Sequence, residues 1–198
     1  MRTQEFYPAL FTIFQVAWAC AWAIRHVQVR RLRNYARNRI KADTNARYHV
    51  VSYFLFVTQN ILCIVSFWSN SPFLLKIHDS DALRLIGVLV ISAGTVLYFR
   101  SLSHLGQNYS PCFDAHVPLE MVSSGPYRFT RHPMYLAKLL VAVGNFVLSG
   151  SLWFVLMFTY LALETLRTIF NEEKYLSAFI PAYEDYKKKT KRMIPFVF

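Results

Sequence analysis

Cysteine is scarce in this chain. Cys20, Cys63 and Cys112 are scattered, odd in number and without a C-x-x-C pair in 198 residues. Neither a disulfide framework nor a thiolate metal site is indicated, so reduced thiols and no bound metal are expected. Acidic residues are also few, with 11 Asp and Glu against 22 Lys and Arg, a net charge of +11. The basic residues fall in blocks between apolar runs, where membrane lipids with anionic headgroups are the natural partner. No module and no interleaving of aromatic and basic residues points to nucleic acid, and no such partner is expected. G-x-G-x-x-G, a Walker loop, H-E-x-x-H and G-x-S-x-G are equally absent. A soluble-type dinucleotide or cofactor fold is therefore not signalled, and any cofactor has to sit among helices.

Apolar residues are abundant instead, with 55% hydrophobic and 17% aromatic. That is too apolar for a typical soluble domain of this size and reads as an all-α integral membrane protein. One membrane domain over 1–198 with five transmembrane helices is expected. The first span is 6–24, an apolar run broken by Thr12 and Gln15, close to the roughly 20 residues a spanning helix needs. Its basic cluster follows the run rather than preceding it, so a retained span is expected rather than a cleaved signal. The linker 25–47 is too basic to insert. The further spans are expected at 48–68, 82–99, 133–150 and 152–170, with Gly87 and Gly94 in the third allowing close helix approach.

Between the third and fourth spans, 100–131 holds Asn108, Pro111, Asp114, Pro118, Glu120 and Gly125-Pro126. It cannot cross lipid without leaving backbone groups unsatisfied, so a long surface or re-entrant segment is expected. Gly150-Ser151 is so short a linker that the last two spans form an antiparallel hairpin. The tail from Asn171 carries Tyr175, Leu176, Phe179, Tyr183 and Tyr186 at helical spacing, interrupted at Pro181, as one or two amphipathic helices on the membrane face. Lys and Arg concentrate in 25–47, 100–138 and the tail from 167. The positive-inside rule then places the N-terminus outside and the C-terminus in the cytoplasm, with the polar segment and tail on one side.

Two polar clusters invite chemistry. The first, VSSGPYRFTRHPMYL over 122–136, packs Gly-Pro, two Arg, a His and two Tyr at the mouth of the fourth span. Pro133 suits a first helical turn, and such a start favours an anion. His132 and Tyr135 share one face; they either line a pocket or act as interface residues. The second cluster, Glu164, Thr168, Asn171, Glu172 and Tyr175, recurs at helical spacing with Arg167 and Glu173 beside it. Glu164 can pair with Arg167, while Glu172 and Glu173 are either solvated at a helix exit or part of a site. The antiparallel hairpin brings the two clusters face to face.

The run GPYRFTRHPMYLA, followed across the hairpin by EEKYLSAFIPAYEDYKKKTKRMIPF, resembles the isoprenylcysteine carboxyl methyltransferase family of integral membrane enzymes and its phospholipid methyltransferase relatives. The similarity covers about 119–195, and the five-span layout is similar to the prokaryotic members. It implies S-adenosylmethionine-dependent methyl transfer at the cytoplasmic face to a lipid-borne acceptor, most readily the carboxylate of a C-terminal prenylcysteine, with S-adenosylhomocysteine as product. The implied cofactor-binding segment lies within 100–198. It includes Leu119, Glu120, Met121, Val122, Tyr127, Arg131, His132, Pro133, Met134, Tyr135 and Glu172. Glu172 and Arg167 are the implied catalytic pair. The family's substrate-contacting Arg falls four residues before the Glu, where this chain has Thr168, and Ala137 replaces the usual Gly. Rival expectations are a phospholipid or small-lipid methyltransferase, an NADPH-dependent membrane reductase with a similar hairpin, and a scaffold that has lost turnover.

Overall fold

The computed structural model describes residues 75–109, 118 and 120–194, with individual helical positions between 9 and 24 and between 54 and 65. The spans expected at 6–24 and 48–68 lie largely outside the described residues, as do the basic linker and Leu119. Four α-helices carry the described architecture: α1 Asp81–Leu105, α2 Pro133–Ser149, α3 Trp153–Phe179 and α4 Ala182–Lys189. Helices α1 and α3 are long and apolar enough to cross a membrane. Helix α2 is apolar but shorter, with 17 residues, about 25 Å of rise.

Two helices outrun their expected bounds for one reason. Helix α1 continues past Phe99 through Arg100, Ser101 and His104 to Leu105, and α3 continues past Phe170 through the polar Asn171-Glu172-Glu173 to Phe179. Charge ends a membrane span but not a helix; backbone geometry does that. Helix α1 stops at Gly106, with φ at 51°, and its N–H bonds Leu102 O. Helix α3 stops where Pro181 forces Ile180 into extended backbone at φ −122° and ψ 97°. The segment expected to begin at Arg100 is therefore helical for its first six residues. The tail helix expected from Asn171 is the end of α3, and α4 alone follows the proline.

Helix α2 packs much more closely on α1 than on α3. The cause is a seam of small residues. A Cβ on Gly87 would meet the Leu148 backbone at 2.6 Å, and one on Gly144 would meet Ile91 N at 2.9 Å. Along the same seam Gly94 lies against Ala137 O, and Ala137 is fully buried. Close approach of this kind replaces a missing hydrophobic drive in lipid with packing. Ile91, Val141, Leu148 and Phe154 form one buried cluster and Tyr98, Leu102 and Ala137 another.

The hairpin between α2 and α3 turns at Gly150, in the left-handed conformation at φ 66°, whose N–H caps α2 on Phe146 O at 2.8 Å. Residues 75–77 clamp this turn, with Ile77 N–H on Gly150 O at 2.8 Å and Leu152 N–H on Leu75 O at 3.3 Å. The hairpin thus fixes where the far ends of α2 and α3 meet. Gly87→Ala is expected to destabilise by about 1–3 kcal/mol, because neither Leu148 backbone nor the helix axes have room to yield. Thermal unfolding in detergent should show a lowered midpoint; an unchanged one contradicts the seam.

Candidate functional site

Local sequence sets up the first half of the site. Gly125-Pro126-Tyr127-Arg128 form a 3-10 turn, with Gly125 at φ 58° lying so close to the His104 ring that any side chain there would collide with it. Phe129 and Thr130 N–H both return to Pro126 O, ending the turn. The chain then runs extended beside the tail. Arg131 N–H bonds Lys191 O at 2.8 Å, His132 N–H bonds Arg192 O at 2.9 Å, and Thr130 hydroxyl donates to Arg192 O at 2.7 Å. Pro133 then opens α2, and Tyr135 and Leu136 N–H turn back to His132 O at 3.1 Å. Pro133 has no N–H to leave open, so these two bonds begin the helix.

The polar end of α3 supplies the second half. Glu173 is the buried member of its carboxylate pair: its side chain is 6% exposed against 42% for Glu172. Arg131 Nε donates to Glu173 Oε1 at 2.7 Å, His132 Nε2 lies 3.3 Å from the same oxygen, and Arg192 Nε donates to Oε2 at 2.9 Å. The Arg131 fork also donates to the carbonyls of Thr190 and Lys187. Burial pushes the Glu173 carboxyl up, but hydrogen bonds from His132, Arg192 and Arg131 outweigh it and hold it down at about 2. Glu173 stands beyond Phe170, where the apolar part of α3 ends.

Glu172 faces the other way around. Tyr135 hydroxyl donates to Glu172 Oε2 at 2.9 Å, and His132 Nδ1 lies 3.9 Å from that oxygen. His132 therefore stands between the two carboxylates, with its side chain 3% exposed. Helix α4 closes the arrangement with two buried tyrosines. Tyr186 donates to Tyr127 O at 2.6 Å, and burial raises its hydroxyl to about 12. Tyr183 is 3% exposed, and its buried hydroxyl has no hydrogen-bond partner among the described residues. Burial, then the charges of Glu173 and Glu172, raise its pKa and keep it protonated.

The expected residues separate under this geometry. His132, Tyr135 and Glu172 come together, and Tyr127 is buried beneath α4. Pro133 is buried, Met134 packs against Tyr98, Leu102 and Ala137, and Met121 and Val122 are half-buried. Glu120 is exposed, with its N–H on Asn108 Oδ1 at 3.0 Å. Arg131 donates to Glu173 and to the backbone carbonyls of Lys187 and Thr190. Arg167 is exposed, and α3 is helical without interruption from Trp153 to Phe179. No change of register brings it onto the Glu172 face, five residues being about 140° around a helix.

A family model described as phospholipid methyltransferase matches residues 83–181, half of the chain. The chain belongs to the phospholipid methyltransferase family. The matched stretch contains α1 from its third residue, the hairpin and both carboxylates. The chain is also similar to a protein-S-isoprenylcysteine O-methyltransferase of Schizosaccharomyces pombe, 29% identical over 142 residues, covering 70% of this chain and 57% of that protein. A solved structure of a eukaryotic intramembrane Ras methyltransferase, isoprenylcysteine carboxyl methyltransferase, aligns at 22% identity and a TM-score of 0.48, over 80% of this chain and 54% of that one. This family member thus spans little more than half the length of those relatives.

Sequence reasoning missed the partners that bury Glu173. Arg192 ends the basic run Lys187 to Lys191, which reads as a solvated face, and nothing local says that it turns inward. Tyr183 and Tyr186, three apart on α4, were a usable signal for an inward face. The sign of the Glu173 effect follows from its low pKa. Its contribution to stability is complete above the ordinary value of 4.5 and is lost as pH falls towards about 2, on the order of 3 kcal/mol in all. Glu173→Gln should unfold at lower temperature at neutral pH, by about 3–5 kcal/mol of stability, and show a flatter acid limb between pH 5 and 3. An acid limb as steep as wild type contradicts the cluster.

Proposed function

We propose that this chain transfers a methyl group from S-adenosylmethionine to a lipid-borne acceptor, the carboxylate of a C-terminal prenylcysteine, at the cytoplasmic face of a five-span membrane domain. The observation that carries the reading is the bond from Tyr135 at the start of α2 to Glu172 near the end of α3, which leaves a half-exposed carboxylate at the meeting point of both polar clusters. Family membership supplies the reaction class.

The residues fit the cofactor by the chemistry of their donor set. S-adenosylmethionine carries an ammonium, ribose hydroxyls and a sulfonium, which call for acceptors and aromatic faces. Glu172 offers a carboxylate, His132 and Tyr135 offer rings 5.6 Å apart, and the unpartnered Tyr183 hydroxyl is a buried polar atom that awaits a partner. When bound, the cofactor supplies an electrophilic methyl group on positively charged sulfur. Glu172 binds its polar groups, Tyr135 orients Glu172, and His132 shapes the wall. Glu173 stays neutralised by its cations, so the site does not carry two unpaired carboxylates.

A prenylcysteine carboxylate is already ionised at neutral pH, so the chain has to position it and exclude water rather than supply a strong base. Its charge and the opposing charge on sulfur cancel as the methyl group moves, and a site that overstabilised the separate ions would slow transfer. An amine acceptor on a phospholipid is the second reading, favoured by the description of the family model. There Glu172 takes the proton that the amine must lose.

S-adenosylhomocysteine should stabilise the purified chain against heat and NADPH should not, which separates transferase from reductase. Affinity for S-adenosylhomocysteine should fall about tenfold or more in Glu172→Gln and in His132→Ala, as expected for one lost charge-assisted bond. Wild-type affinity in both variants contradicts the pocket.

A further inference from the structure

An anionic acceptor brought beside Glu172 meets like charge, and the repulsion between two carboxylates has to be offset by a nearby cation. The described cations around the site differ in what they have left to give. Arg131 is spent on Glu173 and on tail carbonyls. Arg192 donates to Glu173 with its guanidinium 4.5 Å over the Phe170 ring. Arg167 projects from a different side of α3, as its azimuth relative to Glu172 requires.

Lys138 is placed differently. It is the sixth residue of α2 and the helix's only charged one, in the run PMYLAKLLVAVGNFVLS. A charge in so apolar a helix is costly unless it reaches an interface, a partner or a wet cavity. Its ammonium lies 5.1 Å from the centroid of the Tyr135 ring, and the hydroxyl of that same ring donates to Glu172. Ammonium, ring and carboxylate thus form one connected series. Among the described residues no carboxylate pairs with Lys138, whose side chain is exposed. A cation over an aromatic face keeps N–H groups directed away from the ring for another acceptor.

We propose that Lys138 binds the oxyanion of the lipid-borne acceptor, carboxylate or phosphate, and holds it on the Tyr135 side of Glu172. The assignment rests on the methyl-transfer reading for its substrate class. Glu172 draws the positively charged groups of one reactant and Lys138 the negative group of the other, with the Tyr135 ring between them. Neither charge is cancelled directly by the other, so both remain available to ligands. Lys138 also stands on the exposed flank of α2, beside the buried face formed by Ala137, Val141 and Leu148 against α1, where a lipid arriving from the bilayer first meets the helix.

The test uses the full chain in maltoside micelles, which carry no oxyanion. Binding of N-acetyl-S-farnesylcysteine, of its neutral amide and of phosphatidylethanolamine is measured for wild type, Lys138→Met and Lys138→Arg, beside S-adenosylhomocysteine affinity. Lys138→Met should weaken binding of the oxyanionic ligand about tenfold or more, and Lys138→Arg should restore most of it. Binding of the amide and of S-adenosylhomocysteine should not change. Whichever of farnesylcysteine and phosphatidylethanolamine responds identifies the oxyanion as carboxylate or phosphate. Unchanged binding of both makes Lys138 a lysine that only reaches the interface, and an equal loss of S-adenosylhomocysteine binding makes it part of the cofactor pocket or the fold; either result overturns the assignment. Methyl release by the wild type is scored separately. Its absence alongside Lys138-dependent oxyanion binding sinks the enzyme reading and leaves Lys138 in place.

Discussion

Everything at the polar end of this molecule depends on one buried carboxylate. Glu173 gathers Arg131 and His132 from the entry to α2 and Arg192 from the tail, and so ties three separate stretches of chain at one point. A buried ion that lost any of these partners would cost several kcal/mol, which makes the three contacts mutually dependent. The extended pairing of 130–132 with 190–192 runs alongside and fixes the same register through backbone hydrogen bonds. Because Glu173 absorbs the local positive charge, its neighbour Glu172 is left half-exposed with, among the described residues, Tyr135 and the more distant His132 beside it. Adjacent glutamates in one sequence thereby acquire opposite environments, one buried among cations and one half-exposed.

The position of that knot is set from the opposite end of the helices. Gly150 turns the hairpin, residues 75–77 clamp it, and the glycine seam locks α2 onto α1. Helix α3 is less tightly held along its length, so the ion cluster and tail do for α2 and α3 what packing does for α1 and α2. Small residues govern one interface and charge the other.

Much of this was legible in the chain. Gly-Pro, R-H-P-x-Y and the paired glutamates announced two polar clusters, and a linker as short as Gly150-Ser151 required them to meet. Pro133 as a first helical residue and Pro181 as a stop follow from proline geometry alone. Helix ends were misplaced wherever polarity stood in for backbone geometry, at Arg100 and at Asn171, because hydropathy marks the edge of a membrane and not the end of a helix. The choice between Glu172 and Glu173 was not readable, since it depends on where Arg192 lies, 19 residues further along and brought back by a turn at Pro181. The same applies to Arg167. The resemblance set it one position from the family's Arg, and α3, helical from Trp153 to Phe179, holds it about 140° around from Glu172. Lys138 stands in an apolar run with no polar neighbour in sequence to mark it, and only the fold puts its ammonium over Tyr135.

The central claim is that the Glu172 site moves a methyl group onto a lipid. Labelled S-adenosylmethionine offered to the purified full chain with S-farnesylcysteine and with phosphatidylethanolamine, side by side, tests it most directly. Label is expected in the base-labile methyl ester of farnesylcysteine, and Glu172→Gln should lose it. Label in neither lipid, from a chain that binds S-adenosylhomocysteine, would contradict it.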